Sequence, residues 1–251
     1  MRSIDINCDM GESFGAYQMG NDPAILPYIS SANIACGFHA GDAHVMRITV
    51  EQALLNNVSI GAHPGLPDLQ GFGRRALEIS PQEAFDYTVY QVGAMQAIAK
   101  SCGAVVKHVK AHGALYNMAA RNDELADAIV RAVKSCDEQL VIVGLAGSDW
   151  IRAAEKQGMK YAQEVFADRR YEADGTLTPR SHPDALITDT NEALEHVERM
   201  VVEGIVKTRL GERLPIQADT ICIHGDGEHA AQFAQALFTR FEQLAITVRH
   251  I

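Results

Sequence analysis

The chain has 251 residues, 47% hydrophobic and 22% charged, with a formal net charge of −10. That length supplies a full hydrophobic core, and the acidic balance excludes a general nucleic-acid binder, which needs a basic footprint. No apolar run reaches the roughly 18–20 residues that span a bilayer, and no basic-then-apolar leader is visible, so neither a membrane protein nor a signal peptide is expected.

The first strand is expected over 4–9. Side chains in a strand alternate between faces, so Ile4, Ile6 and Cys8 share one face while Asp5, Asn7 and Asp9 share the other. Two carboxylates turned toward an interior repel each other and are costly to desolvate. Folding does not ask for them; a site that moves protons, holds a cation or orients a polar substrate does. A second strand over 32–36 leads past His39 and Gly41 to Asp42, which can cap a helix over 43–56 carrying Val45, Ile48 and Leu55. The third strand, 58–63, ends on His63 ahead of Pro64-Gly65.

Ser80-Pro81-Gln82-Glu83 reads as a helix start, with Ser as cap, Pro at the first position and Glu three residues after the cap. It opens a helix over 82–101. The strand over 105–112 sets His108, Lys110 and His112 on one face, and Val109 and Ala111 on the other. A helix over 122–135, a strand over 140–145, a helix over 149–157 and a strand over 161–167 follow. Glu164 and Asp168 share a face there. Phe166 to Asp189 is a long polar insertion with a tight turn at Asp174-Gly175. A helix over 190–205 and a loop from Lys207 to Asp219 precede the strand over 220–224, which ends on His224 with Asp226 just beyond. The final helix is expected over 227–243.

Repeated βα units imply a mainly parallel sheet. About seven strands in one domain spanning 1–251 suit a distorted or incomplete (β/α) barrel; a doubly wound open sheet is the alternative. An open parallel sheet is covered on both faces and reads as continuous apolar runs, so the polar strand faces favour the barrel. The five cysteines are odd in number and show no CxxC spacing. Reduced thiols in a cytoplasmic protein fit that usage better than disulfides or structural zinc.

Strand ends rich in ionisable groups mark the catalytic face of such a barrel. Asp9 and Glu12 are candidate acid/base groups or Mg²⁺ ligands. Lys110 is a candidate cation and His112 a candidate acid, with His39, Glu164 and His224 beside them on the catalytic rim. Asn7, Asn33, His63, Arg74, Arg75 and Asp226 are candidates for holding substrate or phosphate. Asp5 lies deeper, as does His108, which reads as a core histidine, and His44 reads as structural or surface. Gly71-Phe72-Gly73-Arg74-Arg75 is a basic loop able to close over phosphates, although neither G-x-x-x-x-G-K-[ST] nor G-x-G-x-x-G after a strand occurs.

Several long motifs resemble the LamB/YcsF family: D-I-N-C-D-M-G-E-S-F-G at Asp5–Gly15, A-N-I-A-C-G-F-H-A-G-D at Ala32–Asp42, G-A-H-P-G-L-P-D at Gly61–Asp68 and G-F-G-R-R at Gly71–Arg75. Lys110–Tyr116 departs from the family's K-P-H-G-A-L-Y only at Ala111; Glu164–Tyr171 and Ile223–Asp226 complete the match. The resemblance implies a distorted barrel of the glycoside hydrolase/deacetylase kind. It also implies ATP-dependent hydrolysis of 5-oxo-L-proline to L-glutamate, with ATP and its Mg²⁺ as cofactors and two partner subunits, B and C. A metal-dependent deacetylase or carbohydrate hydrolase on the same fold is an alternative, since His108 and His112 have H-x-x-x-H spacing, though Lys110 between them opposes a metal. A non-catalytic substrate-binding subunit is the other.

Overall fold

The computed structural model describes residues 2–223 and 230–251. His224 and Asp226, two of the sequence candidates, lie outside the described residues. In chain order the elements are β1 (Ser3–Met10), α1 (Asp22–Ile25), β2 (Ser31–Ala35), α2 (Ala43–Leu55), β3 (Ser59–His63), α3 (Pro81–Ser101), β4 (Val106–Lys110) and α4 (Gly113–Ala119). They continue with α5 (Asp123–Cys136), β5 (Val141–Leu145), α6 (Asp149–Gln157), β6 (Lys160–Phe166), α7 (Thr190–Glu198), β7 (Ile205–Lys207), β8 (Arg213–Pro215), β9 (Thr220–Ile223), α8 (Ala230–Gln243) and β10 (Thr247–Val248).

Seven parallel strands run in the order β1-β2-β3-β4-β5-β6-β9, and β9 returns to β1 to close the barrel. The barrel expected from the sequence is therefore present, and it is complete rather than open. Closure is what permits the alternation in β1. Asp5, Asn7 and Asp9 face inward, while Ile4, Ile6, Cys8 and Met10 join the buried apolar layer outside the barrel wall. The same division holds in β4, where His108 and Lys110 point inward and Val109 enters the apolar layer. The short β10 pairs with β1 outside the ring.

Local chemistry fixes the helices. Ser80 accepts from the Glu83 amide and the Glu83 carboxylate accepts from the Ser80 amide, a reciprocal cap that starts α3. α3 packs against β3, β4 and α5. The Asp42 carboxylate accepts from the His44 and Val45 amides, each at 2.9 Å, and caps α2. α2 buries Met46, Thr49, Val50 and Ala53, whereas Leu55, expected on its apolar face, is 83% exposed at the helix end.

Three further differences from the sequence reading have physical causes. Gly113–Ala119, assigned no element from the sequence, turns directly into α4 and buries Ala114, Leu115 and Tyr116. α7 is shorter than expected: it passes into a π-helical turn over Arg199–Glu203, which Gly204 ends in the left-handed region (φ 69°). Part of the segment read as a loop, Lys207 to Asp219, forms the antiparallel β7–β8 hairpin. The turn expected at Asp174-Gly175 is present, with Glu172 and Thr176 bonded across it at 2.8 Å. Among the described residues no helix is long and apolar enough to cross a membrane.

The α2 cap is testable by pH. The Val45 and Gly15 amides hold the Asp42 carboxyl below its ordinary range, so this contribution is present above the unfolded pKa and fades as pH falls through the folded one. Asp42→Ala should lower unfolding stability by about 1 kcal/mol near neutral pH. The gap to wild type should narrow below about pH 4. Urea midpoints at neutral and acid pH measure both; equal midpoints at neutral pH would contradict the cap.

Candidate active site

The barrel interior is a stack of hydrogen-bonded polar side chains. At the bottom, the Asp5 carboxylate accepts from Ser30 (2.6 Å), Ser31 (2.7 Å) and Thr220. Burial pushes the Asp5 carboxyl up, and the three hydroxyls oppose that shift. Asp5 is thus a plug beneath the site. One layer higher, Asn7 donates to Glu164 (3.0 Å) and Thr220 (2.7 Å). Asn33 donates to Asn7 (2.7 Å) and Asp9 (2.9 Å), and its carbonyl oxygen meets His108 Nε2 at 2.8 Å. Burial depresses the His108 pKa to about 3. His108 is therefore a neutral donor in the floor, and it does not share a site with His112.

Above this layer lies Lys110. Its Nζ is 2.9 Å from Asp9 Oδ1, 2.8 Å from Glu164 Oε1, 3.2 Å from Asn7 Oδ1 and 3.0 Å from Cys222 Sγ. Burial disfavours the ammonium, but Asp9 and Glu164 outweigh it and hold the pKa well above the ordinary lysine value. The charge is permanent and fixed in position. Burial pushes the Cys222 thiol well up despite the nearby ammonium, so Cys222 stays protonated and is not a nucleophile.

Histidines from successive strand ends form the next group. His63 Nδ1 donates to the Lys110 carbonyl at 2.7 Å, and its Nε2 is 3.4 Å from Asp9 Oδ2. His112 Nε2 donates to the Phe72 carbonyl at 2.8 Å. The remaining ring nitrogens, His63 Nε2 and His112 Nδ1, face each other at 3.0 Å. His39 stacks on His112 with parallel rings 3.7 Å apart. Burial, reinforced by neighbouring histidines, drives the His39 and His112 pKa values well below the usual range, so both rings are neutral. Glu12 Oε1 lies 3.9 Å from His39 Nε2 and 3.8 Å from His112 Nδ1.

The 71–75 loop lies over this cluster. Gly73 has φ 61°, and a Cβ there would sit 2.7 Å from the His39 Cβ and 2.9 Å from the His112 ring. Glycine is thus required both by its conformation and by the imidazoles beneath it. The two arginines of the loop part company. Arg74 stacks on Phe72 and lines the cavity. Arg75 turns away to a bidentate pair with Asp68, so it is not among the groups around the cavity.

The cavity has a volume of about 450 Å³. Of the sequence candidates, Asp9, Glu12, His63, Arg74, Lys110 and His112 line it. Asn7, Asn33, His39 and Glu164 are buried behind that surface and act through the residues in front of them. Asp42, besides capping α2, accepts from the Gly15 amide, and His44 is exposed as expected. The sequence reading missed Tyr116, Arg121, Arg169 and Arg180, which also line the cavity. Burial lowers the Arg169 pKa to about 10, and the guanidinium donates to the Thr178 carbonyl at 2.6 Å. Arg169 carried a sequence signal in the Glu164–Tyr171 motif; for Arg180 the only one is its place in the long polar insertion after β6.

The LamB/YcsF family pattern matches residues 4–251. The chain belongs to this family. It is 58% identical over 248 residues to the A subunit of 5-oxoprolinase from Brevibacillus brevis, covering 99% of this chain and 98% of that relative. It is 59% identical over 249 residues to the protein of the same name from Shouchella clausii, with 99% and 98% covered. The crystal structure of a lactam utilization protein from Thermus thermophilus superposes with a TM-score of 0.94 at 43% identity, covering 99% of this chain and all (100%) of that one. A family 4 carbohydrate esterase from Streptomyces lividans shares the fold alone, with a TM-score of 0.51 at 9% identity over 100% of this chain and 93% of that one.

The buried triad gives a stability prediction for this LamB/YcsF chain. Lys110→Met leaves Asp9 and Glu164 without their common counter-charge and should destabilise by about 3–5 kcal/mol. Adding Glu164→Gln should restore part of that loss by removing one uncompensated carboxylate. Denaturant midpoints of the two variants decide; a Lys110→Met protein as stable as wild type would contradict the triad.

Proposed function

We propose that the chain is the lactam-opening subunit of an ATP-dependent 5-oxoprolinase that hydrolyses 5-oxo-L-proline to L-glutamate together with partner subunits B and C. The observation that carries this reading is the cavity's charge. In a chain of net charge −10, Lys110, Arg74, Arg121, Arg169 and Arg180 converge on one cavity whose floor holds Asp9 and Glu12. Guanidiniums recognise carboxylate and phosphate, so such a cavity suits a small anion that acquires a phosphoryl group. The names of the relatives supply the substrate class.

A five-membered lactam is a poor electrophile. Transfer of the terminal phosphoryl group of ATP to the lactam oxygen releases ADP and makes the ring carbon reactive. Water then adds its oxygen to that carbon and yields a proton to Asp9. The C–N bond breaks with its electron pair on nitrogen, which takes the proton back from Asp9. The resulting acyl phosphate is hydrolysed to L-glutamate and phosphate. Lys110 is the fixed charge beneath the phosphorylated oxygen, and preorganised charge of this kind needs no rearrangement as the transition state forms. The arginines hold the substrate carboxylate and the phosphoryl group. Mg²⁺ accompanies the ATP phosphates. With no P-loop in the sequence, nucleotide organisation falls to the assembled complex, and the free thiols suit the cytoplasm.

Reconstitution tests this. Glutamate and phosphate release from oxoproline and ATP should appear together only when the partner subunits are added. Asp9→Asn should lower turnover by at least ~100-fold while oxoproline binding to the complex stays within a few-fold. Oxoproline hydrolysis by the isolated chain without ATP, or normal turnover by a folded Asp9→Asn complex, would refute the reading.

A further inference from the structure

The protons on the histidine cluster do not balance. A backbone carbonyl only accepts hydrogen bonds. The Lys110 carbonyl therefore fixes the N–H of His63 on Nδ1, and the Phe72 carbonyl fixes that of His112 on Nε2. With one proton on each ring, this leaves two lone pairs, on His63 Nε2 and His112 Nδ1, pointed at each other across 3.0 Å. Two acceptors that close repel unless something positive sits between or beside them. A buried proton is one solution and a metal ion is another.

His39 adds a second, independent anomaly. Its side chain has no solvent exposure, and neither ring nitrogen has a hydrogen-bond partner among the described residues. Nδ1 is pressed against the backbone at Gly65, where a Cβ would come within 2.4 Å of it. Nε2 is left facing Glu12 at 3.9 Å, too far for a hydrogen bond. Leaving a buried imidazole nitrogen unbonded costs about 1–3 kcal/mol.

We propose that Glu12, His39, His63 and His112 form a binding site for one divalent first-row transition-metal ion, held by three neutral imidazoles and one carboxylate. Donor atoms of the four side chains all lie within 4.8 Å of one another. Metal–ligand bonds of about 2.0–2.2 Å keep donors within about 4.4 Å, so loading closes the cluster by a few tenths of an ångström. His63 and His112 already have the arrangement that metal-bound histidines adopt: one nitrogen donates to a carbonyl, which fixes the tautomer and turns the other lone pair toward the ion. Three imidazoles select Zn²⁺, Co²⁺, Mn²⁺ or Fe²⁺ over Mg²⁺ and Ca²⁺, which prefer oxygen donors. Lys110 does not oppose the ion, because Asp9 and Glu164 neutralise its charge from the barrel side. Three of the four ligands, Glu12, His63 and His112, also line the cavity, so the ion would face whatever binds there. The site stands whether or not the cavity opens a lactam.

The test measures metal, not turnover. The tag-free chain is stripped with chelator, then loaded separately with Zn²⁺, Co²⁺, Mn²⁺ and Mg²⁺. Elemental analysis should find one transition ion per chain, Co²⁺ should give a visible ligand-field spectrum, and Zn²⁺ should raise the unfolding temperature. Mg²⁺ should bind at least ~100-fold more weakly. His39→Gln and His63→Gln should each weaken Zn²⁺ binding at least ~10-fold, while His44→Gln, on the exposed start of α2, should leave it unchanged. Less than about one-fifth of an ion per wild-type chain in every loading would overturn the proposal and leave a shared proton between His63 and His112. Equal Zn²⁺ affinity in folded His39→Gln and His63→Gln proteins would overturn it too, by placing the ion elsewhere.

Discussion

Lys110 carries its charge inside a barrel where an isolated ammonium would be strongly disfavoured, and the surrounding structure is arranged to keep it there. Removing an ion from water carries an effective penalty of several kcal/mol. Asp9 and Glu164, from β1 and β6, repay that penalty from two sides. Neither carboxylate could be buried without the lysine, and the lysine could not be buried without them. Asn7 and Asn33 then use their amides to tie the carboxylates to one another. The Lys110 carbonyl orients His63 through the same strand end. A sheet that failed to close would leave these groups pointing at helices instead of at each other. The polar interior therefore explains why this sequence needs a ring of seven strands.

The features that could be read before folding were those encoded along a single strand. Period-two alternation placed Asp5, Asn7 and Asp9 on one face and His108 and Lys110 on another, and both assignments match the structure. The caps at Asp42 and Ser80 were equally local. What alternation cannot encode is depth along the barrel. Glu164 and Lys110 sit on inward faces alike, yet Glu164 lies beneath the cavity floor and Lys110 in it. That difference comes from the stagger of the closing strands: Glu164 pairs with Thr220 of β9, which pairs with Asp5 at the bottom of β1. Glu12, His39, His63 and His112 were each legible as strand-end candidates, but not their convergence on one point, since they come from the ends of four consecutive strands with no common spacing. Arg121, Arg169 and Arg180 reach the cavity from segments outside the strands, where sequence position says little about direction. Arg75 shows the converse: a basic residue in a plausible phosphate loop was claimed by a nearby carboxylate, Asp68.

The three kinds of charge in the site differ in how freely they can change. Lys110 is locked as an ammonium. The His39 and His112 rings are held neutral by burial and by one another. Arg169, its pKa lowered to about 10 by burial, is still cationic at neutral pH. A cationic cavity stands out in a chain of net charge −10 and favours an anionic ligand. The carboxylates that line the cavity are Asp9 and Glu12.

The account depends on Lys110 being charged at all times, and nitrogen-15 NMR of the lysine side chains in the folded chain measures that directly. One lysine Nζ signal, absent from a Lys110→Met control, should keep its ammonium shift between about pH 6 and 9, with its protons protected from solvent exchange. A Lys110 signal that moves to the neutral-amine position within that range would contradict the account, because the barrel would then hold two carboxylates with no fixed charge between them.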